Sequence, residues 1–175
     1  MDLDSFIKVY DVNIPDGFLN HILIKADFTR ALASQYGRGV IDTKTRNCSS
    51  FTINSPDENE VIWRCVDEGL KRYMSDISLF CDISRNIDGY SLLKYEEGQF
   101  FLEHTDMDMY HPRQLSIVIL MNDDFEGGEL SFRNGSYTPC LKKNQIIIFP
   151  SNFLYPHQVN KITRGCRYSI ATWVT

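Results

Sequence analysis

Apolar and polar positions follow two different patterns, and the change falls near Tyr90. Before it, Phe18, Leu19, Ile22 and Leu23, then Phe28, Ala31 and Leu32, recur at roughly helical spacing. They predict a helix from Phe18 to Tyr36, opened by Pro15-Asp16-Gly17 and stopped at Gly37. A second stripe, Val61, Ile62, Cys65, Val66, Leu70, Tyr73 and Met74, predicts a helix running past Leu79 that packs on a sheet. Ser55 is placed to cap it, Pro56 to fill its first turn, and Asp57, Glu58 and Glu60 to meet the positive end of its dipole. Residues 46–54 (RNCSSFTIN) predict a short strand between the two helices.

From Tyr90 onward the chain becomes short apolar runs broken by turn residues. Strands are predicted over 91–95, 100–104, 115–121, 129–132, 145–149 and 168–174. Glu97-Gly98, His111-Pro112, Asn122-Asp123-Asp124, Gly127-Gly128, Asn134-Gly135, Pro150-Ser151 and Arg164-Gly165 punctuate them. Such spacing predicts a sandwich or barrel. The fold class is therefore α+β: helical support over about 14–89, covering the open side of a mostly antiparallel β core over about 90–175. No repeat or linker interrupts it, and 175 residues are enough for one domain with one core.

Composition narrows the function classes. At 43% hydrophobic residues the chain is not of the disordered or fibrous kind. A formal charge of −5 makes it a poor partner for phosphate backbones, so nucleic acid is not expected. Cys48, Cys65, Cys81, Cys140 and Cys166 are scattered, odd in number and without a CxxC pair. That pattern fits neither a disulfide framework nor a thiolate zinc site and points to a reducing compartment. Met1 to Lys8 lacks the basic and apolar regions of a signal peptide, and no apolar run nears the roughly 20 residues needed to span a bilayer. The expectation is a soluble cytoplasmic protein with no membrane partner; its oligomeric state has no signal in the sequence.

The chemistry begins at His104-Thr105-Asp106. On extended chain, side chains at i and i+2 point the same way, so a histidine and a carboxylate can reach one point. The bland alternative is a surface pair with the acid hydrogen-bonded to the imidazole. His157, 51 positions after Asp106, is a third candidate ligand, separated from the pair by enough chain for return strands. Two imidazoles and one carboxylate on one face of a metal form the open triad of non-haem Fe(II) oxygenases. A closed zinc site wants a fourth ligand, and no cysteine stands at a short spacing from either histidine. Arg167, ten positions after His157, is costly inside a barrel unless it meets an anion. A planar guanidinium suits a carboxylate.

In order, the chain reads Tyr95-x-x-Gly98-Gln99-x-Phe101-x-x-His104-x-Asp106, then Arg113-x-x-Ser116 and Gly127-Gly128-Glu129-Leu130. Phe149-Pro150-Ser151, His157-x-Val159 and Gly165-x-Arg167-Tyr168-x-Ile170-x-x-Trp173 follow. This resembles the 2-oxoglutarate- and Fe(II)-dependent dioxygenases, in their prolyl 4-hydroxylase-like branch, over about residues 90–174. The resemblance implies a double-stranded β-helix, a jelly-roll-like barrel with flanking helices. It implies that His104, Asp106 and His157 ligate Fe(II). Arg167 would pair with the distal carboxylate of 2-oxoglutarate, and Tyr95 would donate its hydroxyl to the same co-substrate. Ser116 and Ser169 would assist in that pocket, and Trp173 would pack near the metal. Many members carry lysine as the distal cation, so Arg167 is a departure that keeps the charge. The implied activity is hydroxylation of an unactivated C–H bond with O2, ascorbate serving as reductant and succinate and CO2 leaving. The substrate would be a prolyl residue of a peptide or protein, with a free amino acid or small metabolite as the alternative.

Other readings stay open. A non-catalytic module binding metal or 2-oxoglutarate would keep the same residues. A zinc hydrolase needs a general base, and Glu103 beside His104 should face away on a strand. Asp108, Tyr110 and Arg46 are candidates for the substrate mouth, since mouth loops carry specificity. His111 reads as a loop histidine, His21 as a surface residue, and Gly127-Gly128 as a bend where backbones approach.

Overall fold

Strand residues alternate between two faces, and here each face has its own core. The computed structural model describes residues 2–35, 38–77 and 86–175. The strands are β1 (Lys8–Asp11), β2 (Thr29–Arg30), β3 (Ala33–Gln35), β4 (Arg38–Val40), β5 (Arg46–Asn47), β6 (Ser49–Ile53) and β7 (Tyr90–Glu96). They continue as β8 (Phe100–His104), β9 (Leu115–Leu120), β10 (Glu126–Gly127), β11 (Leu130–Phe132), β12 (Gln145–Pro150), β13 (His157–Val159), β14 (Ile162–Arg164) and β15 (Cys166–Val174). Helix α1 spans Phe18–Leu23 and α2 Pro56–Asp76. Among the described residues a seven-stranded sheet runs β1-β12-β9-β15-β7-β6-β2, and a four-stranded sheet runs β11-β13-β8-β5. The pairings in both are antiparallel.

On the outer face of the large sheet, Leu92, Ile117, Ile119, Ile146, Ile148 and Ile170 pack under Ile62, Cys65, Val66, Leu70 and Tyr73 of α2. The alternate residues Leu93, Tyr95, Ile147, Phe149 and Ala171 turn inward and pack on Leu130, Phe132 and Val159 of the small sheet. Two facing antiparallel sheets with a helix on one outer face make the expected α+β barrel, with the candidate site between the sheets.

The first half of the chain departs from its helical expectation. Helix α1 ends at Leu23, not at Tyr36. Phe28 leaves the supposed stripe to pack against Phe51 and Tyr168, and Thr29–Arg30 pair with Ser49 and Ser50. Ile24, just past the end of α1, is 85% exposed. The helical spacing over 18–32 is thus a six-residue helix followed by an edge strand. Strand β1, absent from the sequence reading, adds to the edge of the large sheet beside β12. Residues 46–54 are two strands: β5 joins the small sheet and β6 the large one, and the switch falls at the fully buried Cys48. A strand that changes sheets in this way builds a corner. The strands β13 and β14 also went unpredicted, being only three residues each.

Helix α2 ends at Asp76; its expected continuation past Leu79 lies outside the described residues, as does Cys81. Ser55 is extended and its carbonyl accepts the Asn59 N–H, but its side chain makes no capping bond. Glu58 is buried and accepts hydrogen bonds from Lys25 (2.6 Å) and pairs with His21 (3.1 Å), tying α1 to the start of α2. No helix among the described residues is long and apolar enough to cross a membrane.

Candidate active site

Strand β8 carries an irregularity that builds the site. His157 of β13 faces His104, yet Val159, two residues on, faces Phe101, three residues back. The extra residue in β8 is a bulge, and bulges re-aim side chains. It brings Phe101 and His104 to the same side, with their rings stacked at 3.6 Å. The His104 and His157 rings then lie 4.4 Å apart as cross-strand neighbours. Asp106, just past the end of β8, closes the group. One ligand atom from each of His104, Asp106 and His157 lies within 4.8 Å of the others.

Backbone carbonyls set both imidazoles. His104 Nδ1 lies 2.8 Å from the Leu102 carbonyl, and His157 Nδ1 lies 3.1 Å from that of Tyr155. A carbonyl only accepts, so each Nδ1 carries a proton and Nε2 is left as the candidate ligand atom of each ring, facing Asp106. The Nε2 atoms stand 3.5 and 3.4 Å from Asp106 Oδ1 and Oδ2. Ser116, expected along the co-substrate pocket, instead donates its hydroxyl to Asp106 Oδ2 at 2.6 Å and also bonds Ser151 (2.8 Å).

The electrostatics follow from this packing. Burial works to raise the Asp106 carboxyl, but His157 and His104 outweigh it and hold the group well below the usual carboxylate range. Burial also works against a charged His157, and the Asp106 carboxylate overcomes it, so that imidazole is raised. His104 is lowered by burial and by the neighbouring His157. An anionic oxygen between two oriented imidazoles is a donor set for a divalent transition metal with one side open.

Strand β15 supplies the far wall. Arg167, Ser169, Ala171 and Trp173 alternate inward and line a cavity of about 490 Å³ that also contains the three candidate ligands. Arg167 is 2% exposed; its Nη1 donates to Ser169 Oγ at 2.7 Å, and no ion pair among the described residues reaches it. Burial lowers its affinity for the proton. Tyr95, its cross-strand neighbour on β7, is fully buried with a ring centroid 5.6 Å from the guanidinium. The Tyr95 hydroxyl has no oxygen or nitrogen partner among the described residues. The Cys48 thiol stands near it, a weak acceptor. A buried guanidinium without an acid and a buried phenol without an oxygen or nitrogen acceptor among the described residues, side by side, fit an anionic ligand. Gly128 makes room for them, since a Cβ there would stand 3.1 Å from Arg167 Cδ and 2.2 Å from Ile162 Cδ1.

The mouth brings in most of the other candidates. Arg46, Thr45, Asp108, His111 and Arg113 line the cavity, whereas Tyr110 is 57% exposed and does not. Asp108 accepts from His111 Nδ1 and from the backbone N–H groups of Tyr110 and His111, which folds the loop after Asp106. Arg113 is bonded to Asp88 and lies 3.7 Å over the Trp173 ring, placing that tryptophan at the mouth. Glu103 accepts the Asn134 N–H and is absent from the cavity lining, as expected from its strand position. Phe101, which clamps His104, was quoted in a motif without a role; the aromatic two places after Gln99 was its only signal.

Comparisons with known proteins bear on the family and the fold. The model of the 2OG-Fe(II) oxygenase superfamily matches residues 90–175. A PKHD-type hydroxylase from Idiomarina loihiensis is 30% identical over 87 residues, which are 46% of this chain and 39% of that protein. Prolyl 3-hydroxylase 2 from Rattus norvegicus is 39% identical over 71 residues, 38% of this chain and 10% of that one. The matches therefore span well under half the length of these relatives. The fold is shared with a prolyl hydroxylase solved in complex with a hypoxia inducible factor oxygen degradation domain peptide fragment from Trichoplax adhaerens. The TM-score is 0.74 at 15% identity, covering 97% of this chain and 83% of that one.

Proposed function

The chain belongs to the 2OG-Fe(II) oxygenase superfamily through residues 90–175, and from that premise we propose that it hydroxylates an unactivated C–H bond of a prolyl residue in a peptide or protein. Bound together, Fe(II) and 2-oxoglutarate supply the activation of O2, with succinate and CO2 as co-products and one oxygen atom passing to the substrate. The protein's part is to hold and orient. His104 and His157 offer Nε2 and Asp106 a carboxylate oxygen, all presented on one side. Ser116 holds the second carboxylate oxygen by donating to it, which fixes the ligand's rotation. Arg167, steadied by Ser169, takes the distal carboxylate of 2-oxoglutarate, and Tyr95 donates its unpartnered hydroxyl to the same molecule. Phe101 and Trp173 wall the cavity with apolar surface and limit water.

The observation that carries this reading is the buried Arg167, with no acid among the described residues, beside a Tyr95 hydroxyl whose neighbour is the weakly accepting Cys48 thiol, in the same cavity as the His104, Asp106 and His157 cluster. The peptide seen with the Trichoplax adhaerens enzyme supports a polypeptide substrate. The test is succinate release from 2-oxoglutarate by the purified chain with Fe(II) and ascorbate, in the presence of prolyl peptides and of free amino acids. Mass spectrometry then reads which of them gains one oxygen. Gain by a free amino acid alone would replace the prolyl substrate with a metabolite. Failure to bind 2-oxoglutarate with Fe(II) under anaerobic conditions would overturn the oxygenase reading altogether.

A further inference from the structure

Among the described residues three arginines reach this cavity, and two of them are accounted for. Arg113 is bonded to Asp88 (2.8 Å), and Arg167 lies at the closed end beside Tyr95. The third is Arg46, on β5 at the mouth. Its guanidinium lies over the Phe101 ring at 4.6 Å, and Phe101 in turn stacks on His104. Arg46 Nη1 donates to the Leu32 carbonyl at 2.8 Å, and Nε points to the Cys48 sulfur at 3.4 Å. Those contacts fix the plane of the guanidinium and leave Nη2 without a partner among the described residues.

No ion pair among the described residues involves Arg46, although acids are close. Asp106 is held by two imidazoles and Ser116. Asp108 is engaged by His111. Asp42, four positions earlier, closes its own turn through Thr45 and the Lys44 N–H. A half-buried cation facing a cavity, held flat and given no acid, is arranged for an anion from outside. It is not needed for the co-substrate, whose two carboxylates are met by the metal and by Arg167 under the reading above. We propose that Arg46 anchors a carboxylate of the substrate. This deepens the oxygenase reading and rests on it. The pre-ordered planar fork selects a carboxylate over its neutral amide. That carboxylate has two candidate sources, an acidic residue flanking the target proline and the free carboxyl group of an amino acid.

The test uses the protein loaded with Zn(II), a redox-inert stand-in, and 2-oxoglutarate, with binding read by calorimetry. Three acid and amide pairs are titrated: acetyl-Glu-Pro-Gly-amide against acetyl-Gln-Pro-Gly-amide, acetyl-Pro-Glu-Gly-amide against acetyl-Pro-Gln-Gly-amide, and L-proline against L-prolinamide. In at least one pair the acid should bind about tenfold tighter or more than its amide. Arg46→Gln should bring that ratio to about one, and Arg46→Lys should keep part of it. The pair that discriminates identifies the source. Acids no tighter than their amides, an acid preference that survives Arg46→Gln, or no binding by any acid would overturn the proposal. Because the wild-type ratio needs no variant, misfolding of Arg46→Gln would not rescue it. Uptake of 2-oxoglutarate by the zinc-loaded wild-type chain is read in a separate titration; its absence would count against the oxygenase reading and not against Arg46 alone.

Discussion

At Asp106 a single carboxylate is shared by His104, His157 and Ser116, all within 3.5 Å. Asp106→Ala removes the proposed anionic ligand and should abolish metal uptake and turnover. Its far-ultraviolet circular dichroism should match the wild type, because Asp106 lies past the end of β8 and takes part in no strand pairing. Ser116→Ala leaves all three ligands in place but frees the carboxylate to rotate. A fall of about 10–100-fold in Zn(II) affinity is expected, with Ser116→Thr recovering much of it. A purely structural Ser116 would lower the melting temperature and leave that affinity alone. At the other end, Arg167→Gln should weaken 2-oxoglutarate binding by about 30-fold or more while Zn(II) affinity holds, since it removes the buried cation proposed to meet the distal carboxylate. His104-x-Asp106 was legible from the two-residue period of extended chain, and Arg167 from the cost of a buried cation. The true partner of Ser116 was not legible, because it depends on how β9 approaches a loop ten residues earlier in the chain.

Elements position these residues by alternation and by two irregularities. The inward row Arg167, Ser169, Ala171 and Trp173 follows from strand period alone, and β8 was read with its observed bounds. The β8 bulge is invisible in the sequence, because Leu102 and Glu103 carry no turn signal, yet it aims Phe101 and His104 together. The sheet switch at Cys48 was equally hidden, since RNCSSFTIN has one uniform strand composition. The first helix failed for a different reason. A strand whose apolar residues happen to continue a three- and four-residue rhythm cannot be told from helix until Ser49 and Ser50 claim its hydrogen bonds. On the opposite face, α2 lies on the large sheet through Gly69, where a Cβ would stand 3.2 Å from both Ile146 Cδ1 and Ile148 Cδ1. Gly69→Val should overpack this contact and lower stability by about 1–3 kcal/mol, read from the urea midpoint. Zn(II) affinity should be unchanged, because the site lies across the sheet.

Across the whole molecule, the two cores share one sheet, so ligand binding on its inner face is linked to stability of the entire fold. Saturating Zn(II) with 2-oxoglutarate should raise the melting temperature, and more with both than with the metal alone. Buried tyrosines set the alkaline limit. Burial pushes Tyr90 up to about 12, and Tyr10, Tyr73 and Tyr168 higher still. The unfolded chain releases those protons near pH 10, so above that pH it binds fewer protons than the fold does. The stabilisation from these phenols is therefore complete below about pH 10 and is lost as pH rises through about 12. A series of urea midpoints from pH 8 to 12, followed alongside phenolate absorbance, checks the sign.

The most direct measurement is anaerobic titration of the Fe(II)-loaded chain with 2-oxoglutarate, followed by visible absorption. A 2-oxo acid chelating Fe(II) on a two-histidine, one-carboxylate face gives a metal-to-ligand charge-transfer band. The wild-type chain should develop that band to saturation, Arg167→Gln should need far more 2-oxoglutarate to reach it, and Asp106→Ala should not show it. A folded wild-type chain that takes up Fe(II) yet shows neither a band nor any retained 2-oxoglutarate would contradict the assignment of His104, Asp106, His157 and Arg167 to one working site.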